Sequence, residues 1–266
     1  MKFKAVVSDL DGTLLNSKHH ISKESIEVIK KLMESGVKFF IATGRHHLDV
    51  QHIMTKDKLK TGIITSNGAI VLDENSKELV RHEIKGEIAK DLFAKIDFRD
   101  TYVNVYKDNV WYINKDWEEA KLYTEDSGFE YILKDLDTYG DKDITKIFIT
   151  SEDHDLLVEL EREILDGFSH NLAIVFSGPN CLEIMAHGVN KAKSLEEILN
   201  IYDISLEETI AFGDGFNDYE MLKKVGRGFV MGNAHYKLKN ALCKNPIIGT
   251  NDENAVAEKI KEIFSI

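Results

Sequence analysis

The chain has 266 residues, 43% of them hydrophobic and 30% charged, enough for one large domain or two modest ones around a sizeable core. Its 34 basic and 46 acidic side chains leave a net charge of −12. That excludes a nucleic-acid surface built on a basic stripe, and an anionic substrate has to be drawn in by a metal or a few placed cations. No window approaches the ~18 apolar residues of a membrane helix, and the apolar run before Asp9 is too short for a signal segment. Cys181 and Cys243 lie far apart without paired spacing, so both read as reduced thiols of a cytoplasmic protein.

Ala5, Val6 and Val7 are a run of apolar residues without polar alternation, the pattern of a fully buried strand. It stops at Asp9-Leu10-Asp11-Gly12-Thr13. Residues two apart in extended geometry point the same way, so both carboxylates can face one point at the strand's carboxyl end. Two neighbouring carboxylates repel unless a cation relieves them. A hard divalent ion, Mg²⁺ where phosphate is handled, fits such oxygen donors. Taken alone, the pentapeptide reads equally well as an acidic turn.

Ser22 caps a helix whose apolar residues Ile26, Ile29, Leu32 and Met33 follow at helical spacing up to Gly36. A second strand over 37–42 ends in Thr43-Gly44-Arg45. Strand, helix, strand makes a βαβ unit, so Thr43 finishes on the same sheet edge as Asp9. A third strand over 62–66 runs into Asn67-Gly68, a strong hairpin signal, with 69–72 as the returning strand.

From about residue 81 to 187 the pattern changes. A helix over 87–96 precedes a hairpin, 102–106 with 110–113. A helix over 118–125, a strand over 144–150 and a helix over 155–165 follow, then strands 172–176 and 181–185 around a Ser177-Gly178-Pro179-Asn180 turn. Helices with aromatic hairpins predict an antiparallel sheet covered on one face. Alternation of strand and helix then resumes. Helices are predicted over 191–201, through Met221 and Leu222, over 236–242 and over 255–264, with a Ser205/Glu208 capping box. The strands of this last third are 209–212, leading to Gly213-Asp214-Gly215-Phe216-Asn217-Asp218, and 228–231. The expected architecture is α/β: a Rossmann-like parallel-sheet core from residues 1–81 and 188–266, with an inserted α+β cap over 82–187.

Four separated stretches thus fall on one sheet edge: Asp9-Leu10-Asp11-Gly12-Thr13, Ala42-Thr43-Gly44-Arg45, Gly188-Val189-Asn190-Lys191 and Gly213 to Asp218. In these motifs the chain resembles the haloacid dehalogenase superfamily, specifically Cof-type phosphatases with a C2-type cap between the second and third motifs. The likeness covers essentially the whole length, and Asn67-Gly68-Ala69 is similar to that subfamily's third-strand turn. Two departures stand out. His46 follows Arg45 where relatives often carry Pro, and Asn190-Lys191-Ala192-Lys193 replaces the commoner small-residue-Lys-Gly run.

Phosphoryl transfer needs an in-line nucleophile, neutralised phosphoryl oxygens and a proton for the leaving group. Spacing alone does not distinguish Asp9 from Asp11, and the resemblance implies Asp9 as nucleophile through an aspartyl phosphate and Asp11 as general acid/base. Mg²⁺ is expected on Asp9, Asp214 and the Asp11 backbone carbonyl. Thr43, Gly44, Lys191 and Asn217 are assigned to the phosphate, and Asp218 to holding waters or Lys191. Lys191 at a helix start runs against the dipole preference, a misfit that an anion and nearby carboxylates explain. Arg45 reads equally as a substrate contact or a structural ion pair.

The adjacent pairs His19-His20 and His46-His47 do not share a helix face, which disfavours a histidine metal site. Gly213-Asp214-Gly215 lacks the third glycine of a dinucleotide loop. The expected function is Mg²⁺-dependent hydrolysis of a small phosphorylated metabolite, a sugar phosphate foremost, by a monomer or weak homodimer with no nucleic-acid or membrane partner. A phosphotransferase or phosphomutase using the same aspartate, and a non-catalytic phosphometabolite-binding protein, remain as alternatives. The cap should select the leaving group, with segments 103–112 and 177–183 as candidates to face the site.

Overall fold

The computed structural model of the chain describes residues 3–118, 120, 127–136, 139 and 142–266. Among these, two sheets organise the molecule. The first has seven strands in the order β13-β12-β1-β2-β3-β4-β5. Its centre is β1 (Ala5–Ser8), every residue of which is buried. β1 pairs in parallel with β2 (Lys38–Ala42) on one side and β12 (Thr209–Gly213) on the other. β3 (Gly62–Thr65) and β13 (Arg227–Val230) extend the parallel part, while β4 (Ile70–Leu72) and β5 (Glu78–Arg81) finish one edge antiparallel. The chain steps one way from β1 through β2 to β3 and returns on the opposite side through β12 to β13. The carboxyl end of β1 is therefore the point where strand order reverses, the place where open α/β sheets bind ligands.

Helices close both faces. α1 (Lys23–Glu34) starts where Ser22 accepts from the Ser25 N–H, as its cap signature requires, and buries Val28, Ile29 and Leu32. α5 (Lys191–Ile201) and α8 (Ala255–Phe264) keep the boundaries expected from their periodicity, and the Ser205/Glu208 capping box is formed. Two features were not foreseen. α2 (His47–Lys56) is capped by the His46 ring, whose Nδ1 accepts from the Leu48 N–H, and a histidine is not a standard cap signal. β5 has its two apolar residues adjacent, between the charged Glu78 and Arg81, so it lacks an alternating strand pattern. The Asn67-Gly68 hairpin forms, but through a short 3₁₀ turn over Ser66–Gly68 in which Ser66 and Asn67 both take positive φ.

The second sheet has the order β10-β11-β9-β6-β7-β8. Its middle strands are β6 (Tyr102–Lys107), β9 (Lys146–Thr150) and β11 (Cys181–Ala186), with β10 (Leu172–Gly178) and β7 (Val110–Ile113) outside them. The expectation of a purely antiparallel sheet needs one correction. β8 (Tyr131–Leu133) adds to β7 in parallel, an edge pairing too short to leave a sequence signal. α3 (Gly86–Lys95) and α4 (His154–Phe168) cover one face and form a separate apolar cluster with Val103, Val105, Ile147, Ile149, Leu182 and Ile184. The predicted helix over 118–125 falls mostly outside the described residues. Two further core helices, α6 (Tyr219–Lys224) and α7 (Tyr236–Ala241), are short. No described helix is long and apolar enough to cross a membrane.

Candidate active site

Asp9 follows the last residue of β1, and Lys191 opens α5. The Lys191 ammonium is fully buried and donates to Asp9 Oδ1 and Asp218 Oδ1, both at 2.7 Å. The other Asp218 oxygen accepts from the Asp214 and Gly215 N–H groups at 3.1 and 3.0 Å. Asp218 thus ties the loop after β12 to the start of α5. Carboxylate oxygens of Asp9, Asp214 and Asp218 all lie within 4.8 Å of one another. Residues from three distant parts of the chain meet at the end of β1 because β2 and β12 flank it.

Two glycines make this approach possible. Gly12 sits at φ +70, and a Cβ there would meet Asp214 Oδ2 at 2.4 Å; at Gly213 a Cβ would meet the Asp218 side chain at 2.6 Å. Thr13 donates its hydroxyl to Asp214 Oδ1 at 2.8 Å, and Asn233 donates to the Gly12 carbonyl at 2.7 Å. The turn that carries Asp9 and Asp11 is therefore pinned to the loop that carries Asp214.

The electrostatics are unbalanced. Burial pushes the Asp9 carboxyl well above the usual carboxylate range, and Asp218 adds to the shift while Lys191 opposes it. Burial and then the Asp218 charge push Asp214 up to about 6. Lys191 is held above its ordinary value by the Asp218 and Asp9 charges, which outweigh its own burial. Three clustered carboxylates face one ammonium, so ionising all of them leaves excess negative charge in a poorly solvated place. Hard oxygen donors with surplus charge are the donor set of a divalent cation such as Mg²⁺, and the residues present fit one.

The remaining predicted side chains, Thr43, Asp11 and Asn217, bond with other partners. Thr43 is buried at the end of β2, and its hydroxyl oxygen accepts from the Arg45 N–H at 3.2 Å, which leaves its own hydrogen to donate. Asp11 turns outward, its side chain 46% exposed, and Arg45 grips both its oxygens at 2.7 and 2.6 Å while a third guanidinium nitrogen donates to Asp49 at 2.7 Å. Arg45 is therefore paired within the core. Asn217 donates to Asn67 Oδ1 at 3.0 Å.

Sequence reasoning missed Lys146, Glu183 and the contacts of His46 and His47. Lys146 donates to the Gly44 carbonyl and to Glu183 Oε1, both at 2.7 Å, and Asn67 donates to Glu183 Oε2. His46 donates to the Asp108 carbonyl at 2.9 Å, and its ring stacks on Phe129 with centroids 4.3 Å apart. His47 pairs with Asn109 at 3.0 Å. Within the segments 103–112 and 177–183, the 107–109 turn lies against the start of α2, and beyond the second turn Glu183 lies against Asn67. Lys146 and Glu183 lie in strands and gave no signal, and Asp108 and Asn109 gave only their place in a polar turn.

The haloacid dehalogenase-like hydrolase family model matches residues 6–260. An HMP-PP phosphatase of Yersinia pseudotuberculosis is 32% identical over 264 residues, spanning 99% of this chain and 96% of its own. Among solved structures, a haloacid dehalogenase-like hydrolase from B. subtilis superposes with a TM-score of 0.88 at 28% identity, over 97% of this chain and 99% of its own. A HAD subclass IIB sugar phosphatase reaches 0.84 at 25% identity, over 99% and 100%. With a match of this length in sequence and in fold, the chain belongs to the haloacid dehalogenase-like hydrolases and is a phosphatase of that family.

Proposed function

We propose that the protein hydrolyses small phosphorylated metabolites, sugar phosphates foremost, in two steps through an aspartyl phosphate on Asp9. The observation that carries this reading is the buried Lys191 ammonium bridging Asp9 and Asp218 with Asp214 alongside. In the first step an Asp9 oxygen attacks phosphorus, the bond to the leaving oxygen breaks, and that oxygen takes a proton from Asp11. In the second step water attacks the same phosphorus, gives its proton to Asp11, and the Asp9–phosphorus bond breaks. Thr43 and the Gly44 N–H, with Lys191, would hold the phosphoryl oxygens as charge spreads over them. Asp9, Asp214 and the Asp11 carbonyl would hold Mg²⁺, which when bound supplies positive charge to the phosphoryl oxygens. Asp218 acts through Lys191, and Asn217 reaches toward the phosphate from the Asn67 side.

Residues 82–187 are read as a cap over this site, between core segments 1–81 and 188–266; the separate apolar clusters of the two sheets support that division. The printed names of the relatives, an HMP-PP phosphatase and a sugar phosphatase, support a small phosphorylated metabolite as substrate. Two free cysteines, one exposed, suit a reducing cytoplasm.

The test is phosphate release from para-nitrophenyl phosphate and a panel of phosphorylated metabolites with Mg²⁺, for the native protein and Asp9→Asn. The variant should fold normally and lose activity. Equal rates for the two proteins would end the aspartyl-phosphate reading.

A further inference from the structure

On the face of the second sheet away from α3 and α4, two buried charges, Lys146 and Glu183, stand among the aromatic side chains of Tyr106, Trp111 and Phe148. Strand register places Lys146 beside Tyr106, and Glu183 beside Phe148. Lys146 is 2% and Glu183 5% exposed. The ammonium lies over the Tyr106 and Phe148 rings, 5.4 and 4.9 Å from their centroids, and its bonds to Gly44 O and Glu183 Oε1 are both 2.7 Å. Glu183 passes the connection to Asn67, and Asn67 passes it to Asn217. One unbroken chain of hydrogen bonds therefore joins two strands of the inserted sheet to the loops that follow β2, β3 and β12. The fit is close: a Cβ on Gly44 would lie 3.2 Å from Glu183 Oε1 and 3.3 Å from Asn67 Oδ1.

Adhesion does not explain this arrangement. Two apolar side chains would hold the sheets together at least as well as a buried ion pair, whose desolvation offsets much of its attraction. What an ion pair adds is direction. It fixes the Gly44 carbonyl, and with it the residue whose N–H takes no backbone partner among the described residues, and through Asn67 it fixes the Asn217 amide. We propose that Lys146 and Glu183 are positioning residues: seating the cap docks this pair on Gly44 and Asn67 and thereby sets the Gly44 peptide and Asn217 in the geometry that receives the phosphoryl group. Neither touches the phosphoryl group itself. The proposal rests on the phosphate-binding roles given to Gly44 and Asn217 above.

The experiment compares the native protein with Lys146→Arg and the double variant Lys146→Met/Glu183→Leu, which removes both charges together and leaves none stranded. Urea unfolding, kcat and KM for a turned-over phosphomonoester, and hydrogen exchange of peptides covering 43–45 and 213–218 are measured, the exchange without ligand. The double variant should be at least as stable as the native protein, yet show a KM about tenfold or more higher, as expected for lost hydrogen bonds to charged groups. Its two loops should exchange faster by a similar factor. Lys146→Arg, which can still donate to both partners, should recover part of each effect. A double variant with native KM and native loop exchange would overturn the proposal and leave the pair a structural contact. The exchange measurement decides this even if no phosphomonoester is turned over, so a failure of the phosphatase mechanism stays distinguishable.

Discussion

Replacing a site carboxylate should stabilise this protein when no metal is bound, and Asp214→Asn is the cleanest case. The change keeps size and shape, and the amide oxygen can still accept the Thr13 hydroxyl that Asp214 Oδ1 accepts at 2.8 Å. What it removes is a charge that the fold tolerates poorly. The folded protein keeps the Asp214 proton up to about pH 6, because of burial and then Asp218, whereas the unfolded chain releases it near 3.8. A group raised in this way supports the fold at low pH, and that support is lost as pH climbs from about 4 through 6. About two pH units at 1.36 kcal/mol each give an upper value of about 3 kcal/mol at neutral pH, a large part of an ordinary 5–15 kcal/mol stability. Urea unfolding at pH 7.5 in a chelator should place the Asp214→Asn midpoint above the native one with an unchanged slope. The difference should vanish near pH 4. Added Mg²⁺ should then raise the native midpoint by mass action and leave the variant's nearly unmoved, reversing their order. A destabilised variant in chelator at pH 7.5, or a gain that is the same at pH 4, would refute the account of a site overloaded with negative charge.

Lys191→Met tests the same imbalance from the other side. Removing the one ammonium strands two buried carboxylates at 2.7 Å partners, so about 3–5 kcal/mol of stability should go at neutral pH, together with phosphate release; an unchanged unfolding midpoint would contradict this. A second pH effect is expected away from the site. Burial, and then the neighbouring His47, push His46 down to about 3, and both its ring nitrogens are already committed, one to the Asp108 carbonyl and one to the Leu48 N–H. A group lowered this far contributes stability above its unfolded value near 6.5 that drains away as pH falls toward 3, at most about 5 kcal/mol. His46→Gln should flatten that acid limb in a pH series of unfolding midpoints; parallel curves for the two proteins would count against it.

How much of this was legible beforehand follows from which forces act locally. The core sheet was readable because its strands are buried on both faces and announce themselves as uninterrupted apolar runs, and because βαβ handedness then sends each motif to one edge. Caps at Ser22 and Ser205 marked element starts for the same local reason: their bonds span three residues. Where an element depends on something distant, the pattern falls silent. α2 begins at a histidine whose other nitrogen is taken by the inserted unit, and β8 exists only as an addition to β7.

The same division runs through the site. Asp9, Asp214, Asp218 and Lys191 could be nominated because each stands at a strand end or helix start, where backbone geometry alone decides direction. Lys146 and Glu183 could not. Lys146 opens β9 and Glu183 lies inside β11, and in a strand a charge reads as a solvent-facing residue of an alternating pattern; only the packing of one sheet's face on another's loops turns that face inward. A sequence pattern records which side of a strand a residue occupies, but which side is buried is settled by the partner. The residues proposed to carry the reaction are therefore the ones the sequence displays. Those that join the two sheets become visible only when Gly44, Asn67 and Asn217 are found at the other end of their hydrogen bonds.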